Sequence, residues 1–286
     1  MIDEKDVIAY LHQHIEQTNW HIATPQRGFS LDKSFIGVSV HKKVFVKLGV
    51  DNRVIQLLSD ANITPSYLAG GTFHETTIAI QEYVTAVHPG RAWYATHMET
   101  LAQLFHKLQG LTSLQHYLPH VEDESYQTLF VTYINQVKYE FNKAPLHHES
   151  KKIIEGLIKQ YDEHLTLISG EGLTLTHGDP NSGNIFITAT TTYLTDWETL
   201  HLSDPIRDIA HLLWWMYRQS QWSPLLKQFN IDLSDTSQKE RFYLTVSIRA
   251  LYVYLLFVNA RKEHLAERFL ADAQRSALYE QPQTLL

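Results

Sequence analysis

The sequence predicts an α+β fold with a small, β-rich N-terminal part, residues 1–85, and a larger, mainly helical part, residues 86–286. Two observations support this division. Short runs of β-branched and aromatic residues occur before Thr85, whereas long segments with helical periodicity follow it. The length of 286 residues allows one or two domains with a substantial core. We therefore expect one small and one large structural unit.

The N-terminal part contains a predicted β-hairpin. Residues 35–40 and 44–48 are rich in β-forming side chains, and a polar turn at residues 41–43 separates them. A helix is expected over residues 51–60, and a further strand over residues 77–84. These elements predict a small antiparallel sheet.

Long helices are predicted in the C-terminal part, over residues 92–109 and 237–260. The longest apolar run, residues 250–258, is much shorter than the roughly 20 residues that a membrane span requires. The acidic residues 1–6 do not resemble the basic start of a signal peptide. The chain has no cysteine, which fits a reducing compartment. We expect a soluble, cytoplasmic protein.

Three polar residues in the second half of the chain have a spacing that is informative about chemistry. Asp179 lies in the sequence His-Gly-Asp, Asn184 follows five residues later, and Asp196 begins an Asp-Trp-Glu sequence. Short apolar runs, which we predict to be strands, lead into or out of each of them. Because strand ends hold side chains rigidly, these residues are well placed for catalysis.

The same spacing favours phosphoryl transfer. In kinases an Asp of the catalytic loop accepts or orients the substrate hydroxyl, an Asn five residues later binds magnesium, and a second Asp binds the magnesium that bridges the phosphates. We predict that Asp179, Asn184 and Asp196 fill these roles in that order. His177 is expected to support the catalytic loop through hydrogen bonds rather than to act as a base.

The sequence around these residues resembles that of the aminoglycoside phosphotransferase and choline kinase group of small-molecule kinases. The resemblance implies a protein-kinase-like, two-lobed fold. It continues at residues 204–210, Asp-Pro-Ile-Arg-Asp-Ile-Ala, with Ser203 where the group typically has Gly. From the sequence we expect Asp204 to be a helix N-cap, Pro205 the first helical residue and Asp208 a residue of the first turn. Asp204 and Asp208 are therefore predicted to be structural.

Nucleotide-binding residues are predicted near the N-terminus. Lys47 ends a strand of apolar residues, where its ammonium can bind phosphate oxygens. Gly28 and Ser30 belong to the loop that we expect to cover the phosphates. Glu82 and Tyr83 lie in the segment that the resemblance implies is the hinge, which contacts adenine through backbone groups.

One expected partner is missing from the sequence. Kinases pair the strand lysine with a Glu on the next helix. The predicted helix over residues 51–60 contains no Glu, and Asp51 is the nearest substitute for it.

The acceptor is predicted to be small. Only seven residues separate Asp196 from Asp204, which leaves no room for the polypeptide-docking segment of protein kinases. We expect an O-phosphotransferase that uses ATP or GTP with Mg²⁺, and the resemblance favours an aminoglycoside-type antibiotic as acceptor. The alternatives are a metabolite kinase acting on choline, homoserine or a sugar amine, and a non-catalytic nucleotide-binding regulator on a kinase fold.

Charge supports a cationic acceptor and argues against nucleic acid. The chain has 24 Lys and Arg residues against 31 Asp and Glu, a net charge of −7. Glu198 is the predicted acceptor contact, because it follows Asp196 by two residues. Residues 122–124 form the densest acidic run, which we interpret as a solvated surface rather than as a binding site for a cationic acceptor.

Overall fold

The computed structural model describes residues 2–23, 25, 34–85, 87–118, 125–165, 168, 170, 172–262, 264 and 266–282. The helices of this described part are α1 Glu4–His14, α2 Asn52–Asp60, α3 Arg91–Thr96, α4 Met98–Gln109, α5 Tyr126–Lys143, α6 His148–His164, α7 Ile206–Met216, α8 Trp222–Gln228, α9 Thr236–Asn259 and α10 Glu267–Ala277. The strands are β1 His21–Ala23, β2 Ser34–Val38, β3 Lys43–Leu48, β4 Tyr67–Phe73, β5 Thr76–Glu82, β6 Thr174–Thr176, β7 Ile185–Ile187, β8 Thr192–Leu194 and β9 His201–Ser203.

The chain forms two compact units. The first comprises Met1–His88, Leu104–Tyr117 and Gly183–Glu198, and the second comprises Pro89–Gln103, Leu118–Ser182 and Thr199–Leu286. The segment that carries Asn184 and Asp196 thus belongs to the unit that contains the N-terminal sheet. The assignment of nucleotide binding to residues 1–85 and of acceptor binding to residues 86–286 stays a prediction.

An antiparallel sheet with the strand order β1-β2-β3-β5-β4 dominates the first unit. The predicted hairpin is confirmed, since β2 pairs with β3 in a register that places Ser34 opposite Lys47. The turn begins earlier than predicted because the Ser39 hydroxyl accepts a hydrogen bond from the Lys42 N–H at 3.0 Å. Strand β2 therefore ends at Val38.

Strand β3 alternates between two environments, as a half-buried strand should. Val44, Val46 and Leu48 are buried in the core that the sheet forms with α1. Lys47 consequently points to the opposite face of the sheet. The helix predicted after this strand is confirmed as α2, whose N-cap is Asp51.

The predicted strands around the motif residues are also confirmed. Strands β7 and β8 form a short antiparallel hairpin, and the Leu194 N–H donates to the Ile63 carbonyl at 2.8 Å, which anchors the hairpin within the first unit. Asn184 immediately precedes β7, and Asp196 follows β8 by two residues.

Helix α9 lies at the centre of the second unit and packs against α5, α7 and α10. It confirms the helix predicted over residues 237–260. It is also the one described helix that is long and apolar enough to cross a membrane, but 72% of its most apolar window is buried inside the protein. This burial is typical of the core helix of a soluble protein, and a cytoplasmic location stays a prediction.

The prediction of a single helix over residues 92–109 is wrong, because the chain forms two helices, α3 and α4, with a break at His97. The Thr96 hydroxyl donates to the carbonyls of Ala92 and Trp93, each at 3.2 Å. The His97 ring stacks on Trp93 at 4.6 Å. His97 itself has φ −122° and ψ 31°, outside the helical conformation, so α3 ends at Thr96.

Candidate active site

Lys47 forms ion pairs with two carboxylates of the first unit. Its Nζ lies 3.3 Å from Asp196 Oδ1 and 2.9 Å from Glu198 Oε1. The Lys47 side chain is only 12% exposed, so its charge depends on these partners. The partner that the sequence left open is therefore supplied by the Asp-Trp-Glu sequence and not by α2.

Trp197 explains why both neighbouring carboxylates reach Lys47. Its side chain is buried, and its indole N–H donates to the Thr64 hydroxyl at 3.3 Å. Asp196 has a positive φ of 67°, a conformation that Asp adopts more readily than most residues. The buried tryptophan and the left-handed residue together turn Asp196 and Glu198 toward the lysine.

Asn184 and Asp196 are the residues that fit a magnesium ion. The Thr195 N–H donates to the Asn184 carbonyl at 2.9 Å, so the two positions adjoin across the β7-β8 hairpin. One amide oxygen and one carboxylate suit a hard cation that completes its shell with water and phosphate oxygens. Bound there, magnesium would neutralise charge that develops on the phosphates. The described residues contain no group of three or more His, Cys, Asp or Glu side chains arranged for a metal, which is compatible with such a sparse site.

The His-Gly-Asp part of the predicted catalytic loop, residues 177–179, lies in the second unit, and backbone geometry requires its glycine. Gly178 has a φ of 84°, and a Cβ atom there would lie 2.5 Å from the Thr199 carbonyl oxygen. Larger residues are therefore excluded both by strain and by collision. The His177 and Gly178 N–H groups donate to the two Asp208 carboxylate oxygens, at 2.6 and 2.9 Å.

His177 is fully buried and is bonded within the loop. Its Nδ1 accepts a hydrogen bond from the Asp179 N–H at 3.3 Å. Its carbonyl accepts one from the Thr199 hydroxyl at 2.7 Å. These contacts fix the backbone on both sides of Gly178 and thereby the direction of the Asp179 side chain.

The start of α7 differs by one residue from the prediction. The N-cap is Pro205 and not Asp204, and α7 begins at Ile206. Asp204 is nevertheless bonded to this helix start, because its Oδ1 accepts from the Ile206 N–H at 2.9 Å. Its carboxylate also accepts a hydrogen bond from Arg241 Nη1 at 2.9 Å, and the two side chains form an ion pair that is almost completely buried. Asp208 lies in the first turn, as predicted.

Sequence reasoning missed Arg249, which contacts the predicted base. Its Nη2 lies 2.5 Å from Asp179 Oδ1, and both side chains belong to the second unit. Arg249 interrupts the apolar sequence of α9, between Ile248 and Ala250. A single charge inside a buried helix is expensive without a partner. This interruption was the signal in the sequence.

The sequence model of a phosphotransferase enzyme family matches residues 15–243, which include Lys47, Asp179, Asn184 and Asp196. The chain belongs to this phosphotransferase family. The predicted family and the prediction of an enzyme of the phosphotransferase class are thereby confirmed. No curated protein sequence matches the chain.

Solved structures of similar fold support the same assignment. Choline kinase from Streptococcus pneumoniae is 16% identical, with a TM-score of 0.64 over 96% of this chain and 98% of that one. Spectinomycin phosphotransferase in complex with ADP and spectinomycin is 15% identical, with a TM-score of 0.64 over 97% of each chain. A thermostable aminoglycoside phosphotransferase in complex with ADP and hygromycin B is 12% identical, with a TM-score of 0.68 over 95% and 97%. These similarities confirm the predicted kinase-like α+β fold.

Several predicted site residues of this phosphotransferase have other positions or contacts. Gly28 and Ser30 lie outside the described residues. The Glu82 and Tyr83 N–H groups donate to the carbonyls of Ser66 and Lys43, at 2.8 and 3.3 Å, so an adenine contact here would use other backbone groups. The role of both hinge residues stays a prediction.

Two carboxylates have different partners from those considered in the sequence. Asp51 is not a substitute for the missing Glu, because its Oδ1 caps α2 by accepting the N–H groups of Arg53 and Val54. Glu198 lies against Lys47, which favours a role in holding the lysine over the predicted contact with an acceptor.

We expect Glu198→Gln to raise the KM for ATP by up to about fivefold, because a partly exposed ion pair contributes little more than this. In the background of Lys47→Ala the same substitution should have no further effect. Steady-state kinetics of the two single variants and the double variant measure this coupling. Glu75→Gln, at an exposed position of the same unit, is the control. Independent, multiplicative effects of the two substitutions would show that Glu198 acts apart from Lys47.

Proposed function

We propose that the protein transfers the γ-phosphoryl group of a nucleoside triphosphate to a hydroxyl group of a small molecule. The observation that carries this proposal is the ion pair between Lys47 on β3 and Asp196, the lysine and the metal-binding aspartate of the kinase scheme. Family membership supports the reaction class, and the ADP in two related solved structures supports the nucleotide.

In the proposed reaction Asp179 accepts the proton of the acceptor hydroxyl. The hydroxyl oxygen bonds to the γ-phosphorus as the bond from that phosphorus to the bridging oxygen breaks, and ADP leaves. The bonded backbone of the His-Gly-Asp loop keeps the carboxylate in one orientation. Lys47 binds phosphate oxygens, and Glu198 holds the lysine when the nucleotide is absent.

The non-catalytic alternative loses its main argument. It rested on the missing helix Glu, and Glu198 provides Lys47 with a carboxylate from another segment. An intact set of Asp179, Asn184 and Asp196 supports turnover. Among enzymes, an aminoglycoside-type antibiotic and a metabolite such as choline both remain candidate acceptors, since the fold is shared by proteins that act on either.

Magnesium-dependent release of ADP in the presence of hydroxylated small molecules tests the proposed function. We expect Asp196→Asn to weaken binding of the magnesium nucleotide by about tenfold or more, because the metal loses its charged ligand. Calorimetric titration with a non-hydrolysable ATP analogue, with and without magnesium, measures this loss. Asp60→Asn, a substitution in the same unit outside the Lys47 and magnesium positions, is the control. An unchanged affinity in Asp196→Asn would remove this residue from the metal site.

A further inference from the structure

A cavity in the second unit lies beside the predicted base. Residues of α5, α7 and α9 line it, among them Arg207 and Arg249. Its volume is about 30 Å³, room for about two water molecules or one carboxylate- or phosphate-sized group. Its lining thus combines two cations with a space the size of a small anion.

Arg249 connects the cavity with Asp179. Its ion pair with Asp179, at 2.5 Å, uses one of the five N–H donors of the guanidinium. Among the described residues it forms no second ion pair. One arginine can therefore contact the predicted base and a group inside the cavity at the same time.

Arg207 is a partly buried cation whose hydrogen-bond partners are neutral. It donates to the hydroxyl of Tyr133 and contacts Nε2 of His201. Burial raises the pKa of Tyr133 to about 12 and lowers that of His201 to about 4, so neither group is charged at neutral pH. No ion pair of the described residues includes Arg207.

The nearest carboxylate does not neutralise Arg207 directly. Asp208 is an electrostatic neighbour, but its two oxygens accept the backbone N–H groups of the catalytic loop. Loss of solvent lowers the pKa of Arg207, and the charge of Arg249 acts in the same direction. Two neighbouring cations with limited access to water are stabilised by an anion between them.

Polar atoms of the cavity wall also lack partners. Neither His211 Nδ1 nor Thr245 Oγ1 has a hydrogen-bond partner among the described residues. The two residues are only 7% and 4% exposed, which makes an unsatisfied polar atom costly. Burial, followed by the charges of Arg249 and Arg207, lowers the pKa of His211 well below its ordinary value, so the ring is neutral.

We infer that this cavity binds the anionic group of the acceptor, so that the substrate is a small hydroxylated carboxylate or phosphate ester and not a polycation. The inference rests on the proposed function, because it places the acceptor of that reaction. Arg207 and Arg249 bind the anion from α7 and α9, and His211 and Thr245 belong to the same cavity wall. The ion pair between Arg249 and Asp179 keeps the bound molecule close to the base. An anionic acceptor differs from the cationic acceptor that the net charge and the family resemblance predict.

Four three-carbon compounds that differ mainly in charge provide the first test: glycerate, glycerol 3-phosphate, glycerol and 3-aminopropane-1,2-diol. We expect magnesium-dependent ADP release with at least one anion at a KM that is about tenfold or more below that of glycerol. Preference for glycerol or the amine would overturn the inference while leaving the phosphotransferase proposal intact. If none of the four compounds is a substrate, binding of inorganic phosphate tests the inference.

Binding without turnover is measured with inorganic phosphate as the probe. The protein is first saturated with magnesium and a non-hydrolysable ATP analogue, and protection against thermal unfolding by phosphate is then recorded. We expect the apparent Kd to rise about 10- to 100-fold in Arg207→Gln, because a charge-assisted bond is lost. Arg207→Lys should retain part of the affinity.

Arg218→Gln is the matched control, since Arg218 is an exposed arginine of the same unit outside the cavity. Its phosphate affinity should equal that of the wild type. Equal protection of the wild type and Arg207→Gln by phosphate would overturn the inference, whether or not the protein transfers phosphate. Failure to bind the nucleotide analogue would instead contradict the proposed function, and the comparison of the two arginine variants would still report on the cavity.

Discussion

Asp179→Asn is expected to lower kcat by about 10² to 10⁴, because the amide keeps the size of the side chain but cannot accept the acceptor proton. The affinity for the magnesium nucleotide should stay nearly unchanged. Asp179 contacts Arg249 in the second unit, whereas Lys47, Asn184 and Asp196 belong to the first. Single-turnover rates, together with calorimetric titration of a non-hydrolysable ATP analogue, measure the two quantities separately.

Asp162→Asn is a suitable control for this experiment. Asp162 pairs with Lys138 at the surface of the same unit, 2.9 Å away, and should be dispensable for turnover. The assignment of base and metal ligand is wrong if Asp179→Asn loses the nucleotide while Asp196→Asn keeps wild-type turnover.

Arg241→Met should destabilise the protein by about 3–5 kcal/mol, the usual cost of leaving a buried charge without its partner. The ion pair with Asp204 is nearly inaccessible to water, with side chains that are 10% and 1% exposed. Met replaces the aliphatic part of the arginine side chain, so the loss reports mainly on the charge. Equilibrium unfolding in urea at pH 7 measures it.

The destabilisation caused by Arg241→Met should be smaller at acidic pH. Burial raises the pKa of Asp204 above 3.8, and Arg241 opposes this effect. Without the arginine the folded-state pKa rises further, so the folded protein holds this proton more tightly than the unfolded chain does. The loss of unfolding free energy in Arg241→Met is therefore largest at neutral pH and disappears as the pH falls toward 3.8.

Removing both charges is the control for this prediction. In the double variant Asp204→Asn with Arg241→Met no charge stays buried, and most of the stability should return. A double variant as unstable as Arg241→Met would assign the loss to packing.

Local elements were predictable because each carries its own signal. The β2-β3 hairpin, helix α2 and the central helix α9 follow from side-chain alternation and helical periodicity. The break at His97 was not predictable from periodicity, since it is a change of backbone conformation at one residue within an otherwise helical pattern. Periodicity reports which face of a helix is apolar, not where a single residue leaves the helical conformation.

Contacts between residues that are distant in sequence could not be predicted from such local signals. Lys47 and Asp196 are 149 residues apart, and the choice of Glu198 over Asp51 depends on where Trp197 packs. The two arginines of the cavity were missed for a different reason. Net charge averages over the whole surface, whereas Arg207 and Arg249 determine the potential at one small cavity.

Adjacent positions of helix α7 have consequences for attempts to redesign the enzyme. Arg207 lines the cavity, and the next residue, Asp208, holds the backbone of the catalytic loop. In the proposed reaction, a substitution that shifts this first turn would disturb acceptor binding and turnover together. Gln136 and Tyr252 line the same cavity from α5 and α9, away from the loop anchor. Directed evolution toward new acceptors should therefore accumulate changes on those two helices and leave α7 untouched.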